Sequence, residues 1–190
     1  MRSSKALRAL PAVAVAVLAL AGGQAVAAPA SGSGSAQQHA IAARVLTYDA
    51  SQAAEFKDAV TKGAAIWNDS VANVDLKPVA SGQRANIRII ADNGWPRTAT
   101  SSLGSGTIYF GRQAVDEGYN TVRISSHEFG HILGLPDMKP GPCSSLMSGS
   151  TAGIPCTNPN PNAAEKAEVE DNFAGALTGA AATRDLLFVD

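Results

Sequence analysis

Apolar side chains change their spacing several times along the chain, and each change marks an element. Leu10 to Ala21 is one unbroken apolar run. Val45-Leu46-Thr47-Tyr48 opens the first half-buried pattern and reads as a strand. From Ala53 to about Ser70, the residues Phe56, Val60, Ala64, Trp67 and Val71 recur at helical spacing, with Glu55, Lys57, Asp58 and Lys62 on other faces. That pattern predicts an amphipathic helix packed on a sheet. Ile87 and Ile89, preceded by Gly82, predict a second strand, and Asn93-Gly94-Trp95-Pro96 is turn chemistry. Thr107-Ile108-Tyr109-Phe110, bounded by Gly106 and Gly111, predicts a third strand. A helix follows from about Thr121 to Leu133. Residues 138–162, rich in Pro, Gly, Ser and Asn, form a loop that must be ordered by other means. Asn162 or a neighbour caps a last helix from Ala163 to about Leu177. Without repeats, this succession describes a single α+β domain.

The first apolar run has a separate purpose. It follows the basic residues Arg2, Lys5 and Arg8 and falls well short of a membrane span of about 20 residues. Ala25-Val26-Ala27 then supplies the small residues that a signal peptidase reads, so residues 1–27 are an export signal cut after Ala27. Residues 28–44 begin with Ala, Pro, Ser and Gly, cannot bury a core, and read as a propeptide or leader. The catalytic domain is expected over 45–177 and an extension over 178–190, whose Leu186-Leu187-Phe188-Val189 run would pack on the domain or be trimmed. The product is expected to be secreted and not anchored, since no later segment approaches spanning length.

Composition sharpens this only once the signal is set aside. The 190 residues hold 15 basic and 16 acidic groups, a net charge of -1, and only 16% charged residues. About 25% is typical of soluble domains. Removing residues 1–27 takes three basic groups and no acidic one, which brings the net charge to -4. That balance leaves no basic footprint for nucleic acid or an acidic membrane face. Two cysteines are too few for a disulfide framework or a four-cysteine zinc site.

The chemistry is concentrated in Ser126-His127-Glu128-Phe129-Gly130-His131-Ile132-Leu133-Gly134-Leu135-Pro136-Asp137. On a helix, His127 and His131 lie one turn apart on the same face, at the separation two imidazoles need to bind one zinc ion. Glu128, next to His127, reaches a water beside the metal and can take its proton. A third protein ligand is still required. Gly134 can turn the chain sharply and Pro136 cannot continue a helix, so Asp137 can swing back to the same ion. Glu165, Glu168 and Glu170 on the last helix are competing third ligands without a supporting motif. His39, the remaining histidine, belongs to the polar leader.

Ten residues beyond Asp137, Ser145-Leu146-Met147-Ser148-Gly149 sets a methionine in a tight turn. Its thioether would form an apolar floor beneath the site, a role compatible with ordinary core packing. Cys143 and Cys156 bracket this turn. In an exported chain they pair, closing a loop of about 14 residues and constraining the unfolded chain by roughly 3 kcal/mol; the alternative is one buried and one exposed thiol.

These residues together resemble the metzincin zinc proteases, and within them the snapalysin type of small secreted bacterial metalloproteinase, whose pattern is HExxHxxGxxD. The likeness runs over roughly residues 45–175, through Val45-Leu46-Thr47-Tyr48-Asp49-Ala50-Ser51, Ile66-Trp67-Asn68, Gly141-Pro142-Cys143-Ser144 and Cys156-Thr157-Asn158-Pro159. The resemblance implies a small twisted sheet packed with an N-terminal helix, an active-site helix, a Met-turn loop and a C-terminal helix. It implies His127, His131 and Asp137 as ligands of one catalytic zinc, Glu128 as general base, Met147 as the Met-turn residue and a Cys143–Cys156 disulfide. The cleft edge would be the strand around Ile108-Tyr109-Phe110, where an extended peptide pairs by strand addition. A large apolar or aromatic residue is expected just after the scissile bond. Two departures stand out. Where such proteins carry a tyrosine soon after the aspartate, this chain has Met138-Lys139-Pro140, so either Lys139 substitutes as a cationic donor or the oxyanion relies on zinc alone. Where they carry an aspartate for calcium before the zinc helix, it has Asn120 and Thr121, so Ca2+ binding is expected to be weak or absent. The function expected is a zinc endopeptidase, monomeric by default and acting on extracellular polypeptides. A zinc-holding binding module and a hydrolase of non-peptide amides are the alternatives.

Overall fold

Alternation of buried and exposed residues along the strands builds a sheet with one covered face. A computed structural model of the protein describes residues 42–174 and 186–189. The export signal over 1–27, the leader up to residue 41 with His39, residues 175–177 at the expected end of the last helix and of the catalytic domain, and residues 178–185 and 190 of the extension lie outside the described residues. Strands β1 (Arg44–Gln52), β2 (Val74–Pro78), β3 (Ile87–Asp92), β4 (Arg97–Ser102), β5 (Ser105–Gly111) and β6 (Leu186–Val189) form a six-stranded sheet in the order β2-β1-β3-β5-β4-β6. The pairs β1–β2, β1–β3 and β3–β5 are parallel, whereas β4 runs antiparallel to both β5 and β6. Leu46 opposes Leu76, Tyr48 opposes Ile87, Ile89 opposes Ile108, and Ile108 opposes Thr98. Residues directly opposite share a face, and all of these are buried.

That face is covered by helices. A 3-10 turn over Ala54–Phe56 leads into α1 (Lys57–Ser70); α2 (Arg112–Asp116), α3 (Thr121–Ile132) and α4 (Ala163–Ala174) follow. Val60, Ala64 and Trp67 of α1 are buried at the predicted helical spacing. The indole Nε1 of Trp67 donates to the carbonyl of Ser126 at 2.8 Å, locking α1 to α3. Phe56 stacks on Phe110 with ring centroids 4.1 Å apart, joining α1's entry to β5. All described residues belong to one compact unit, as the α+β reading requires. Among them, no helix is long and apolar enough to cross a membrane.

Two differences from expectation matter for the site. The strand around Ile108-Tyr109-Phe110 is not a cleft edge: as β5 it is flanked by β3 on one side and β4 on the other. Its apolar alternation reports one-sided burial, which an interior strand of a half-covered sheet shares with an edge strand. Strand β4, absent from the sequence expectation, lies on the side of β5 away from β3. The sequence Arg97-Thr98-Ala99-Thr100-Ser101-Ser102 hides it, because its buried positions are threonines. The turn between β3 and β4 is held by Asp92, which accepts from Gly94 N at 2.9 Å and from Arg97 Nη2 at 2.6 Å.

Candidate metal centre

Helix α3 begins at Asn120, whose side-chain oxygen caps it by accepting from Arg123 N at 2.9 Å. It ends just past the second histidine. Gly134 takes a φ of 96°, the left-handed C-cap conformation that a side chain strains. Asn172 of α4 donates to the carbonyl of Leu133 at 3.1 Å and so satisfies one of the helix's last acceptors. The chain can then reverse through Leu135 and Pro136 to Asp137.

His127 and His131 are buried on one face of α3, with ring centroids 4.7 Å apart. Each Nδ1 meets a backbone carbonyl: Leu146 at 3.0 Å for His127, and Leu135 at 2.8 Å for His131. A proton on Nδ1 satisfies those carbonyls and makes each Nε2 the nitrogen that can bind a metal. The two Nε2 atoms converge to 3.1 Å. Asp137 Oδ1 stands 3.4 Å from both, and the three donor atoms lie within 4.8 Å of one another. Among the described residues this is the group of three able to hold a metal ion. Buried Oδ1 has no hydrogen-bond donor. A cation in this cluster would satisfy both the oxygen and the two nitrogens, and two nitrogens with one oxygen is a donor set that suits zinc with a position left open.

The electrostatics agree. Burial is the main influence on His131 and pushes its imidazole below its ordinary pKa, with the neighbouring His127 adding to the effect. The neutral, metal-binding form is thereby favoured. Burial acts on Asp137 in the opposite sense, raising its pKa, but close contact with the imidazoles of His127 and His131 outweighs that and holds the carboxyl well below the usual range. Its other oxygen, Oδ2, takes the ammonium of Lys139 at 3.3 Å. Lys139 therefore lies against the third donor of the cluster.

Glu128 is fully buried between α3 and β4. Its Oε2 accepts from the hydroxyl of Thr98 at 2.5 Å, and the same hydroxyl lies 3.3 Å from the Glu128 carbonyl. Strand β4 thus holds the carboxylate of Glu128. No sequence signal marked Thr98, which stands alone in a polar run.

Met147 is fully buried in a 3-10 segment, Leu146–Ala152, and packs against the helix of the two histidines at Gly130. A Cβ on Gly130 would come within 2.6 Å of the Met147 sulfur, so a glycine just before His131 makes room for the thioether. Met147 also accepts from Met138 N through its carbonyl at 2.7 Å, tying the turn to the segment that carries Asp137. Two buried charges hold the turn itself. The guanidinium of Arg123 donates to the carbonyls of Ser145 at 3.0 Å and Asn158 at 2.6 Å and to Ser148 Oγ at 3.0 Å. The carboxylate of Glu165 accepts from Ser145 Oγ at 2.7 Å, Met147 N at 2.9 Å and Leu146 N at 3.2 Å.

Glu165 also completes a capping box with Asn162. Asn162 Oδ1 accepts from Glu165 N at 3.0 Å, and the Glu165 carboxylate accepts back from Asn162 N at 2.7 Å. Its carboxylate is engaged by the turn rather than the metal cluster. Glu170 accepts from Ala72 N and Asn73 N, and Glu168 lies outside the cluster as well. Cys143 and Cys156 are disulfide-bonded, with Cα atoms 5.5 Å apart, closing the loop around the turn.

A single α+β domain whose central helix carries two convergent histidines, joined by an aspartate from the following turn, defines a class of protein with a cluster able to hold a metal ion on one helix. The sequence model of the Streptomyces extracellular neutral proteinase (M7) family matches residues 43–176, and the chain belongs to that family. An extracellular small neutral protease of Streptomyces coelicolor is 41% identical over 140 residues, covering 72% of this chain and 63% of that protein. One of Streptomyces lividans is 39% identical over 140 residues, covering 74% of this chain and 61% of its own length. One of Streptomyces caespitosus is 41% identical over 131 residues, covering 68% of this chain and 96% of that protein. The match thus spans less than two thirds of the first two relatives and nearly all of the third.

Proposed function

We propose that the protein is a secreted, zinc-dependent endopeptidase that cleaves extracellular polypeptides. The observation that carries the reading is the convergence of His127 Nε2, His131 Nε2 and Asp137 Oδ1, with the buried aspartate oxygen lacking a hydrogen-bond donor. The names of the relatives as extracellular neutral proteases support both the activity and the export. An export signal over 1–27 and a leader over 28–44 fit the same destination.

His127, His131 and Asp137 would hold the ion, which when bound supplies Lewis acidity for the scissile carbonyl and for the attacking water. The chain's own groups do the rest. Nδ1 of each histidine, hydrogen-bonded to a backbone carbonyl, keeps the rings in one tautomer and one orientation. Glu128 takes the proton of the attacking water and returns it to the leaving amine, so one carboxylate serves as base and then as acid. Thr98 holds that carboxylate in place. Met147 and the disulfide-closed loop keep the floor rigid. An extended peptide would add to β4 as a neighbouring strand.

The test is digestion of casein by the secreted protein before chelation, after chelation and after zinc is restored. Cleavage lost on chelation and recovered with zinc is the expected outcome; cleavage unchanged by metal removal would contradict the reading.

A further inference from the structure

The outer side of β4, next to the metal-binding helix, is filled by the chain itself. Strand β6 pairs antiparallel with β4 in the register Arg97–Val189, Thr98–Phe188, Ala99–Leu187 and Thr100–Leu186. Opposed residues share a face, so Phe188 falls on the face from which Thr98 reaches Glu128. Its ring lies flat on the imidazole of His131, with centroids 4.3 Å apart and planes 6° from parallel. Backbone pairing along β4 and an aromatic ring on a residue of the metal cluster are the two contacts that an extended apolar peptide would need to make. The segment Leu186-Leu187-Phe188-Val189 makes both at once.

We infer that Leu186–Val189 is an autoinhibitory strap: it occupies the strand position that a substrate peptide requires, and it must leave β4 before cleavage. This inference rests on the proteolytic reading above. The strap blocks peptide rather than metal. Phe188 covers the flat face of His131, whereas the Nε2 lone pair lies in the ring plane and remains aimed at Asp137, 3.4 Å away. Because the strap is covalently attached, its effective concentration at β4 is of millimolar order, and a peptide from solution must compete with it. If the closed state holds about nine molecules in ten, apparent peptide affinity falls roughly tenfold. A four-residue strand with one ring contact is weak enough to be displaced by a longer peptide, so the device sets a threshold for substrates and does not silence the enzyme.

Three variants of the full chain test this: deletion of residues 178–190, Leu187→Pro, which removes a backbone donor from β6, and Phe188→Ala. For each, KM and kcat are measured on an extended peptide substrate, zinc affinity is measured, and binding of a fluorescein-labelled synthetic peptide of residues 183–190 is followed by anisotropy. The binding arm uses the same variants carrying Glu128→Gln, so it needs no turnover. The expected result is a KM about tenfold lower in the deletion and in Leu187→Pro with kcat and zinc affinity unchanged, and labelled peptide bound by the deletion but excluded from the full chain. Should the deletion fail to fold, Leu187→Pro and Phe188→Ala carry the test. An unchanged KM in every folded variant, or equal peptide binding with and without the strap, would overturn it. If no variant cleaves while peptide binding still depends on the strap, the strap's occupation of the peptide position on β4 stands, and the proteolytic reading falls together with the autoinhibitory role. Chelator-sensitive cleavage with strap-independent KM and binding does the opposite: proteolysis stands and the strap falls.

Discussion

At the residue scale, the hydroxyl of Thr98 connects the sheet to the chemistry. It is fully buried and donates to the Oε2 of Glu128, which is itself fully buried. A buried carboxylate oxygen deprived of a donor costs about 1–3 kcal/mol, and a general base released from its anchor loses alignment. Thr98→Val keeps the shape of the side chain and removes the donor. It is expected to lower kcat about tenfold while zinc content stays at one per chain, read by steady-state kinetics beside elemental analysis. An unchanged kcat would mean that Glu128 needs no support from β4. The histidines and Asp137 were legible in the sequence, because one-turn spacing and a glycine-ended helix dictate convergence. Thr98 was not, since a hydroxyl reveals its role only when a partner 30 residues away is brought against it.

At the element scale, the turn around Met147 is held by charges from two helices rather than by its own sequence. Arg123 of α3 binds its carbonyls and Glu165 of α4 binds its amides. Pattern assigns neither to the turn, since Arg123 carries no signal and Glu165 reads as a competing third ligand; both are buried because each finds several partners on the turn. Glu165→Ala leaves the amides of Leu146 and Met147 without their acceptor and breaks the capping box of α4. Destabilisation of about 3 kcal/mol is expected from urea unfolding, and a loss below about 0.5 kcal/mol would show that the turn holds itself. The strands divide the same way. Apolar alternation disclosed β1, β3 and β5, while β4, whose buried positions are threonines, gave no periodic apolar signal. Which strand lies beside the site follows from strand order, and pattern within one strand does not encode order.

At the scale of the whole molecule, one sheet face carries the helices, and β4, flanked by β5 and β6, meets the site. The family match over residues 43–176 covers the elements β1 to α4 that build the metal cluster and its floor. Strand β6 lies beyond the matched residues, and it covers both β4 and one face of His131. Fold, metal cluster and strap therefore make separable claims, of which metal-dependent proteolysis through Glu128 is the central one. Its most direct test is casein cleavage by the secreted wild type and Glu128→Gln at matched, measured zinc content. The account predicts one zinc per chain in both and activity reduced by about 10²–10⁴-fold in the variant. Full zinc with cleavage at the wild-type rate would contradict it.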